Sequence, residues 1–248
     1  MGKTDKALER AEKEYHENLL EPFPISDKRI ITALPRLASN QATLAWYDDL
    51  KTNLLTRRKD KRLKTILFTS TSAGDGTTTT AINFASSLVE DTEVRVLLVD
   101  ANLRTPCLHE VFGVDHTRGL SDLITKAGDL ASKMKKIGAT NLFVMPCGGR
   151  HSNPVTLFET PQFDRFLEDV RAWFDFVILD APPATNFSEA KAICNKVDGV
   201  VLVLGAGTTR RQVALKAKRE IEEAGGKILG VVLNRRKFHI PKWVYERL

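Results

Sequence analysis

Thr69-Ser70-Thr71-Ser72-Ala73-Gly74-Asp75-Gly76-Thr77-Thr78-Thr79-Thr80 is the stretch that decides the fold. It follows the apolar run Ile66-Leu67-Phe68 and opens onto Ala81, Phe84, Ala85 and Leu88 at helical spacing. Strand, glycine-rich turn and helix N-terminus in that order aim successive backbone N–H groups at one anion. This is the outline of a P-loop with one letter changed. A P-loop carries lysine just after its second glycine, where it bridges phosphate oxygens, and then Ser or Thr for magnesium. Here the lysine place is Thr77, while Thr78 keeps the metal-binding hydroxyl.

Outward from that loop, apolar runs alternate with helical patterns. Strands are expected at 65–69, 94–99, 141–146, 176–180, 199–204 and 228–233, and helices at 78–90, 161–173, 187–195 and 209–224. Most strands are nearly continuous in Val, Ile and Leu, as in a parallel sheet buried on both faces. The alternation predicts an α/β fold, doubly wound around a mainly parallel sheet of P-loop NTPase type, with ligands at the strands' C-terminal ends. Residues 62–236 are read as that domain, 1–61 as a helical extension and linker, and 237–248 as a tail. Within the extension, 3–20 reads as an amphipathic helix stopped by Glu21-Pro22-Phe23-Pro24. It suits docking to a partner. A second helical pattern near 39–56 carries Leu44, Tyr47, Leu50 and Leu54.

Three strand ends carry polar chemistry. Val96-Leu97-Leu98-Val99 ends in Asp100-Ala101-Asn102-Leu103-Arg104-Thr105-Pro106, and Phe176-Val177-Ile178-Leu179 in Asp180-Ala181-Pro182-Pro183. Carboxylates there can hold magnesium or its waters, or accept a proton from an attacking hydroxyl. The last strand ends in Leu233-Asn234-Arg235, and an Asn at that rim offers a donor and an acceptor to a purine edge. One strand-end Asp alone is more often a helix cap; with the glycine loop, the set describes a nucleotide pocket.

Composition narrows the classes. With 42% hydrophobic and 27% charged residues, the chain is an ordinary globular protein. No apolar stretch reaches the roughly 18–20 residues of a membrane span, and no signal peptide is evident. Cys107, Cys147 and Cys194 are widely spaced and lack CxxC pairing, so they read as reduced thiols of a cytoplasmic protein. The net charge of +6 is concentrated in Arg57-Arg58-Lys59-Asp60-Lys61-Arg62-Leu63-Lys64 and Arg235-Arg236-Lys237. These runs are a solvated linker and tail, or contacts to an anionic membrane face or nucleic acid.

The segments Ser70 to Thr79, Val96 to Pro106 and Phe174 to Pro183 resemble the P-loop, Walker-A′ and Walker-B segments of the bacterial tyrosine kinases of exopolysaccharide and capsule loci. Leu120-Ser121-Asp122-Leu123, Leu142 to Gly148, Asp198 to Val203 and Leu229 to Arg235 extend the likeness in the same order. The resemblance implies an ATP- and magnesium-dependent fold that autophosphorylates a tyrosine-rich tail. It also implies a partner, a Wzz-like membrane polysaccharide co-polymerase that acts as activator, and a place in the cytoplasm, peripheral at the inner face of the plasma membrane. By position, Ala73, Gly74, Asp75, Gly76, Thr77, Thr78 and Thr79 would line the phosphates, with Asn234 and Arg235 at the base. Thr78, Asp100 and Asp180 would organise magnesium, and Asp100, Arg104 and Asp180 would serve catalysis.

Four departures touch separate parts of that mechanism. Thr77 replaces the lysine; phosphoryl transfer rests on positioning and charge, so losing this cation is expected to cost about 3–4 kcal/mol, roughly a hundred- to a thousand-fold in rate. Asn102 replaces the second Walker-A′ carboxylate. The tail keeps one tyrosine, Tyr245, the single phosphosite candidate and equally a packing residue. Ala45, Asp48 and Lys51 stand where the family carries a Glu-Arg-Arg oligomerisation pattern, leaving homo-oligomerisation open. Together they favour a degenerate, regulatory member, a pseudokinase beside an active paralogous kinase. The alternatives are an active atypical autokinase using Arg104, Arg210 or Arg211 as surrogate cation, and a partition- or positioning-type ATPase on DNA or membrane. The family-like Walker segments make the last, and nucleic acid as a partner, the least favoured.

Overall fold

The computed structural model describes residues 41–56, 63–90, 93–126, 128–149, 151 and 153–235, all within one compact unit, Ile31–Leu248. The helix expected at 3–20, the tail and Tyr245 lie outside the described residues.

A seven-stranded sheet forms the centre. Its strands are β1 (Thr65–Ser70), β2 (Val96–Asp100), β3 (Lys135–Lys136), β4 (Leu142–Met145), β5 (Phe176–Asp180), β6 (Gly199–Gly205) and β7 (Ile228–Asn234). They are ordered β3-β4-β2-β5-β1-β6-β7. All pairings are parallel except β3 with β4. The mainly parallel, doubly wound fold read from the alternation is therefore present. β1, β2, β4 and β5 are buried at every position, the environment their unbroken apolar runs require.

β7 differs. It is an edge strand, and Val231 and Leu233 are 56% and 50% exposed, with no helix among the described residues covering them. β3 escaped sequence reading: two lysines carry no strand pattern, and pairing with Phe143 and Val144 alone defines it.

The helices are α1 (Gln41–Thr56), α2 (Thr77–Leu88), α3 (Leu108–Phe112), α4 (Leu120–Lys126), α5 (Pro154–Phe158), α6 (Pro161–Trp173), α7 (Glu189–Cys194) and α8 (Arg211–Glu223). A 3-10 turn lies at Ala131–Lys133. α6 begins where Thr160 caps Phe163 N and Pro161 takes the first position. The short helices α3, α4 and α5 were not anticipated, since five to seven residues give too few turns for a period to register.

α1 buries Tyr47 and Leu54 in the same apolar cluster as Phe68, Phe84 and Val201. Asn83 Nδ2 donates to Tyr47 Oη at 3.3 Å, and Lys51 Nζ to Ser87 O at 3.3 Å, tying α1 to α2. Among the described residues no helix is long and apolar enough to cross a membrane.

Candidate functional site

β1 lies between β5 and β6, so the loop that leaves it emerges at the middle of the sheet's C-terminal rim. Gly74 and Gly76 adopt φ of 85° and 91°, left-handed values that glycine takes without a Cβ penalty. Thr80 N closes on Gly76 O at 3.0 Å, so α2 starts directly behind the turn. Ala73 and Gly74 are exposed, and Gly76, Thr77, Thr78 and Thr79 are half-buried along the first turn of α2. Thr77 places a hydroxyl and a methyl where the motif has an ammonium group.

Asp75 does not face an incoming anion. Its carboxylate is buried and turned inward, accepting from Thr71 Oγ1 at 2.8 Å, Ser72 N at 2.9 Å and Thr209 Oγ1 at 3.4 Å. Asn234 Nδ2 donates to Asp75 O at 2.9 Å, and Asn234 Oδ1 accepts from Arg235 N at 2.8 Å. A Cβ on Gly76 would run into Asn234 Nδ2, and one on Gly205 into Thr208 Oγ1 and Asp75 Oδ1. The loop after β1, the turn after β6 and the end of β7 are thus keyed together. Asn234, read as a purine contact, braces the loop through its Nδ2 end, while its Oδ1 end serves the neighbouring Arg235. Arg235 is exposed and has φ 58°.

The two strand-end carboxylates sit side by side, Asp100 opposite Asp180 in the β2–β5 register, but they do different things. Asp100 Oδ2 accepts from Cys107 N and Leu108 N, each at 3.0 Å, and Oδ1 from Asn102 N at 3.2 Å. It anchors the Walker-A′ loop. Asp180 Oδ2 accepts from Thr78 Oγ1 at 2.6 Å, whereas its buried Oδ1 has no partner. Burial pushes Asp100 up to about 6 against three opposing amide bonds, and pushes Asp180 up to about 8, with repulsion from Asp100 adding to it. Cys107 Sγ lies 3.7 Å from Thr78 Oγ1, and burial raises its thiol to about 11, so it stays protonated.

Asn102 forms a local turn, its Nδ2 donating to Thr105 Oγ1 at 3.0 Å and its Oδ1 accepting from Thr105 N at 3.2 Å. Arg104 is held by a residue that sequence reading passed over. Its Nε donates to Glu189 Oε1 at 2.6 Å, and its guanidinium lies 4.6 Å from the Phe187 ring centre. Glu189 is fully buried, and its Oε2 has no partner. A glutamate opening a helix looks like an ordinary N-terminal charge, so only the fold reveals the pairing. The turn Gly205-Ala206-Gly207-Thr208-Thr209 was also passed over, although its glycines and threonines follow a strand just as those of the P-loop do.

The donor set can be tested against a nucleotide–magnesium pair. A threonine hydroxyl and a carboxylate with an orphaned oxygen are hard oxygen ligands, as magnesium requires. No cluster of three or more His, Cys, Asp or Glu side chains able to hold a metal exists among the described residues. That agrees with an ion bound by one or two protein oxygens and completed by phosphates and water.

Comparison with known proteins gives the lineage. A family model described as AAA domain matches residues 63–210. The tyrosine-protein kinase YwqD of Bacillus subtilis is 31% identical over 191 residues, 77% of this chain and 80% of that protein. The tyrosine-protein kinase CpsD of Streptococcus pneumoniae serotype 4 is 32% identical over 199 residues, 80% of this chain and 86% of the relative. Among solved structures, the VpsO kinase domain superposes with a TM-score of 0.71 at 28% identity, covering 79% of this chain and 96% of that one. With a P-loop-like turn, paired strand-end aspartates and this coverage, the chain belongs to the bacterial tyrosine-kinase family of P-loop proteins.

Proposed function

We propose that this chain is a regulatory member of its family, acting in exopolysaccharide or capsule biosynthesis or export with little or no phosphoryl transfer. The observation that carries the reading is the contrast inside one loop. The glycine turn has the form of an anion cradle and Thr78 Oγ1 bonds Asp180, which supports a nucleotide and its metal there, while Thr77 brings no positive charge. ATP phosphates would lie along the amides of 73–79, with Thr78 and Asp180 as protein ligands to magnesium. Bound there, the ion would supply charge neutralisation at the phosphates. Asp100 keeps the Walker-A′ loop in shape beside them.

Arg104 is a poor substitute for the lost lysine, because Glu189 fixes it at Nε and its side chain lines a cavity that no residue of the turn Ser70 to Thr80 lines. Arg210 and Arg211, exposed at the start of α8, remain the cations on which an atypical autokinase would depend. The partner implied by the resemblance is a membrane polysaccharide co-polymerase, met at the cytoplasmic face of the plasma membrane, with an active paralogous kinase as a second. Calorimetric titration with Mg-ATP, followed by phosphotyrosine detection, tests the reading. Binding without self-phosphorylation is expected; self-phosphorylation by the unmodified chain would overturn it.

A further inference from the structure

Beyond the P-loop, the rim holds a second opening. A pocket of about 860 Å³ lies between the loop after β2, α3, α4 and the loop after β4. No residue of the turn Ser70 to Thr80 lines it. Its volume is in the range of small-ligand sites, roughly 300–1,000 Å³.

The pocket gathers imidazole, guanidinium and ammonium groups on its walls. Three of the chain's five histidines, His109, His116 and His151, line it. The His109 and His116 rings stack with centres 4.6 Å apart, and His109 Nδ1 is buried without a partner. Arg104 reaches the same wall; Glu189 takes its Nε, which leaves the four terminal N–H groups. Lys126 adds an ammonium group at the mouth.

Of the two carboxylates on the same walls, Asp122 is engaged and Glu110 is turned largely to solvent. Asp122 Oδ2 accepts from Gly149 N at 3.0 Å and Gly119 N at 3.3 Å, and its Oδ1 pairs with Lys126 at 3.4 Å. Glu110 is 75% exposed and pairs with His109 Nε2 only at 3.9 Å. Apolar wall comes from Leu103, Pro106 and Pro154. Such a site suits a ligand with several acceptor oxygens on one end and a flat apolar shank behind them. A phosphate monoester supplies three strong acceptor oxygens and a charge near −2. A bare phosphate would leave the apolar wall and most of the volume unused.

We propose that this pocket binds phosphotyrosine on a protein partner, so that the chain reads a mark whether or not it can write one. The inference rests on family membership, since relatives are tyrosine-protein kinases and phosphotyrosine is what such enzymes make. It does not depend on the loss of transfer at Thr77.

Proton NMR of the imidazole groups tests it, because only His16 and His239 lie elsewhere in the sequence. The intact chain, without nucleotide, is titrated at pH 7 with a Gly/Ser-flanked phosphotyrosine pentapeptide, its unphosphorylated twin and inorganic phosphate. The phosphopeptide is expected to shift the signals of His109, His116 and His151 saturably. It should bind at least about tenfold tighter than either comparison ligand.

His116→Ala with Lys126→Ala, both at exposed positions, should weaken it about tenfold or more, whereas Gly76→Ala should leave it intact. Equal binding of the unphosphorylated peptide, or equal binding of inorganic phosphate, would refute recognition of an aryl phosphate. So would no shift at all. Loss in Gly76→Ala but not in the pocket variant would place the phosphate on the P-loop instead.

Discussion

Replacing Asp180 by Asn should make this protein more stable at pH 8 and weaken the proposed binding of magnesium. The carboxyl is buried on β5, next to Asp100, with one oxygen on Thr78 and the other without a partner. Burial, reinforced by Asp100, moves it from 3.8 to about 8, so the folded state holds the proton more tightly than the unfolded chain does. Stability from that difference is fully present below pH 3.8 and is lost as pH rises through about 8. Integrated to pH 8, the loss is about 5 kcal/mol.

Asparagine keeps the acceptor for Thr78 and leaves its buried amide NH2 group, with both N–H bonds, unpaired, at a cost of about 1–3 kcal/mol. The net gain at pH 8 is therefore about 2–4 kcal/mol, and for a chain of this size Tm should rise by roughly 4–16 °C. At pH 5 most of the gain should vanish. Thermal and urea unfolding of both proteins at pH 5 and pH 8, without nucleotide, measures this directly. A variant less stable by the same amount at both pH values would refute the assignment of Asp180 as a strained, ligand-seeking carboxyl.

Other expectations follow from the same geometry. Mg-ATP affinity should rise with pH between 6 and 8, because binding requires Asp180 to give up a proton held at about 8; calorimetry in buffers of different ionisation enthalpy should also register proton release. Gly76→Ala should cost about 1–3 kcal/mol in urea unfolding, since it forces a side chain to φ 91° and displaces Asn234 from Asp75 O. The Arg104–Glu189 pair should respond asymmetrically. Arg104→Ala strands a fully buried carboxylate and should cost about 3 kcal/mol, while Glu189→Gln leaves a 40%-exposed guanidinium near water and should cost about 1 kcal/mol.

The sequence made the sheet legible because most of its buried strands are nearly continuous apolar runs, the pattern a doubly covered parallel sheet favours. The glycine loop and both strand-end aspartates were legible for a related reason: backbone turns and rim carboxylates are local features. What each carboxylate does was not. Asp100 and Asp180 read alike as letters, yet three loop amides saturate the first while one oxygen of the second is left bare. The same limit hid Glu189, Thr209 and the imidazole-lined pocket, each assembled from segments tens of residues apart. Asn234 adds a contact that the sequence did not suggest: in the fold its Nδ2 braces the P-loop at Asp75 O.

In the reading proposed above, Thr77 leaves the nucleotide cradle short of one positive charge. Thr77→Lys isolates it. With Mg-ATP in matched calorimetric titrations, the Lys variant should bind at least about tenfold tighter than the unmodified chain, the effect of a cation placed directly on phosphate oxygens. The unmodified chain should accumulate no phosphotyrosine over the same interval. Equal affinity in the two proteins, with phosphotyrosine appearing on the unmodified chain, would contradict the account.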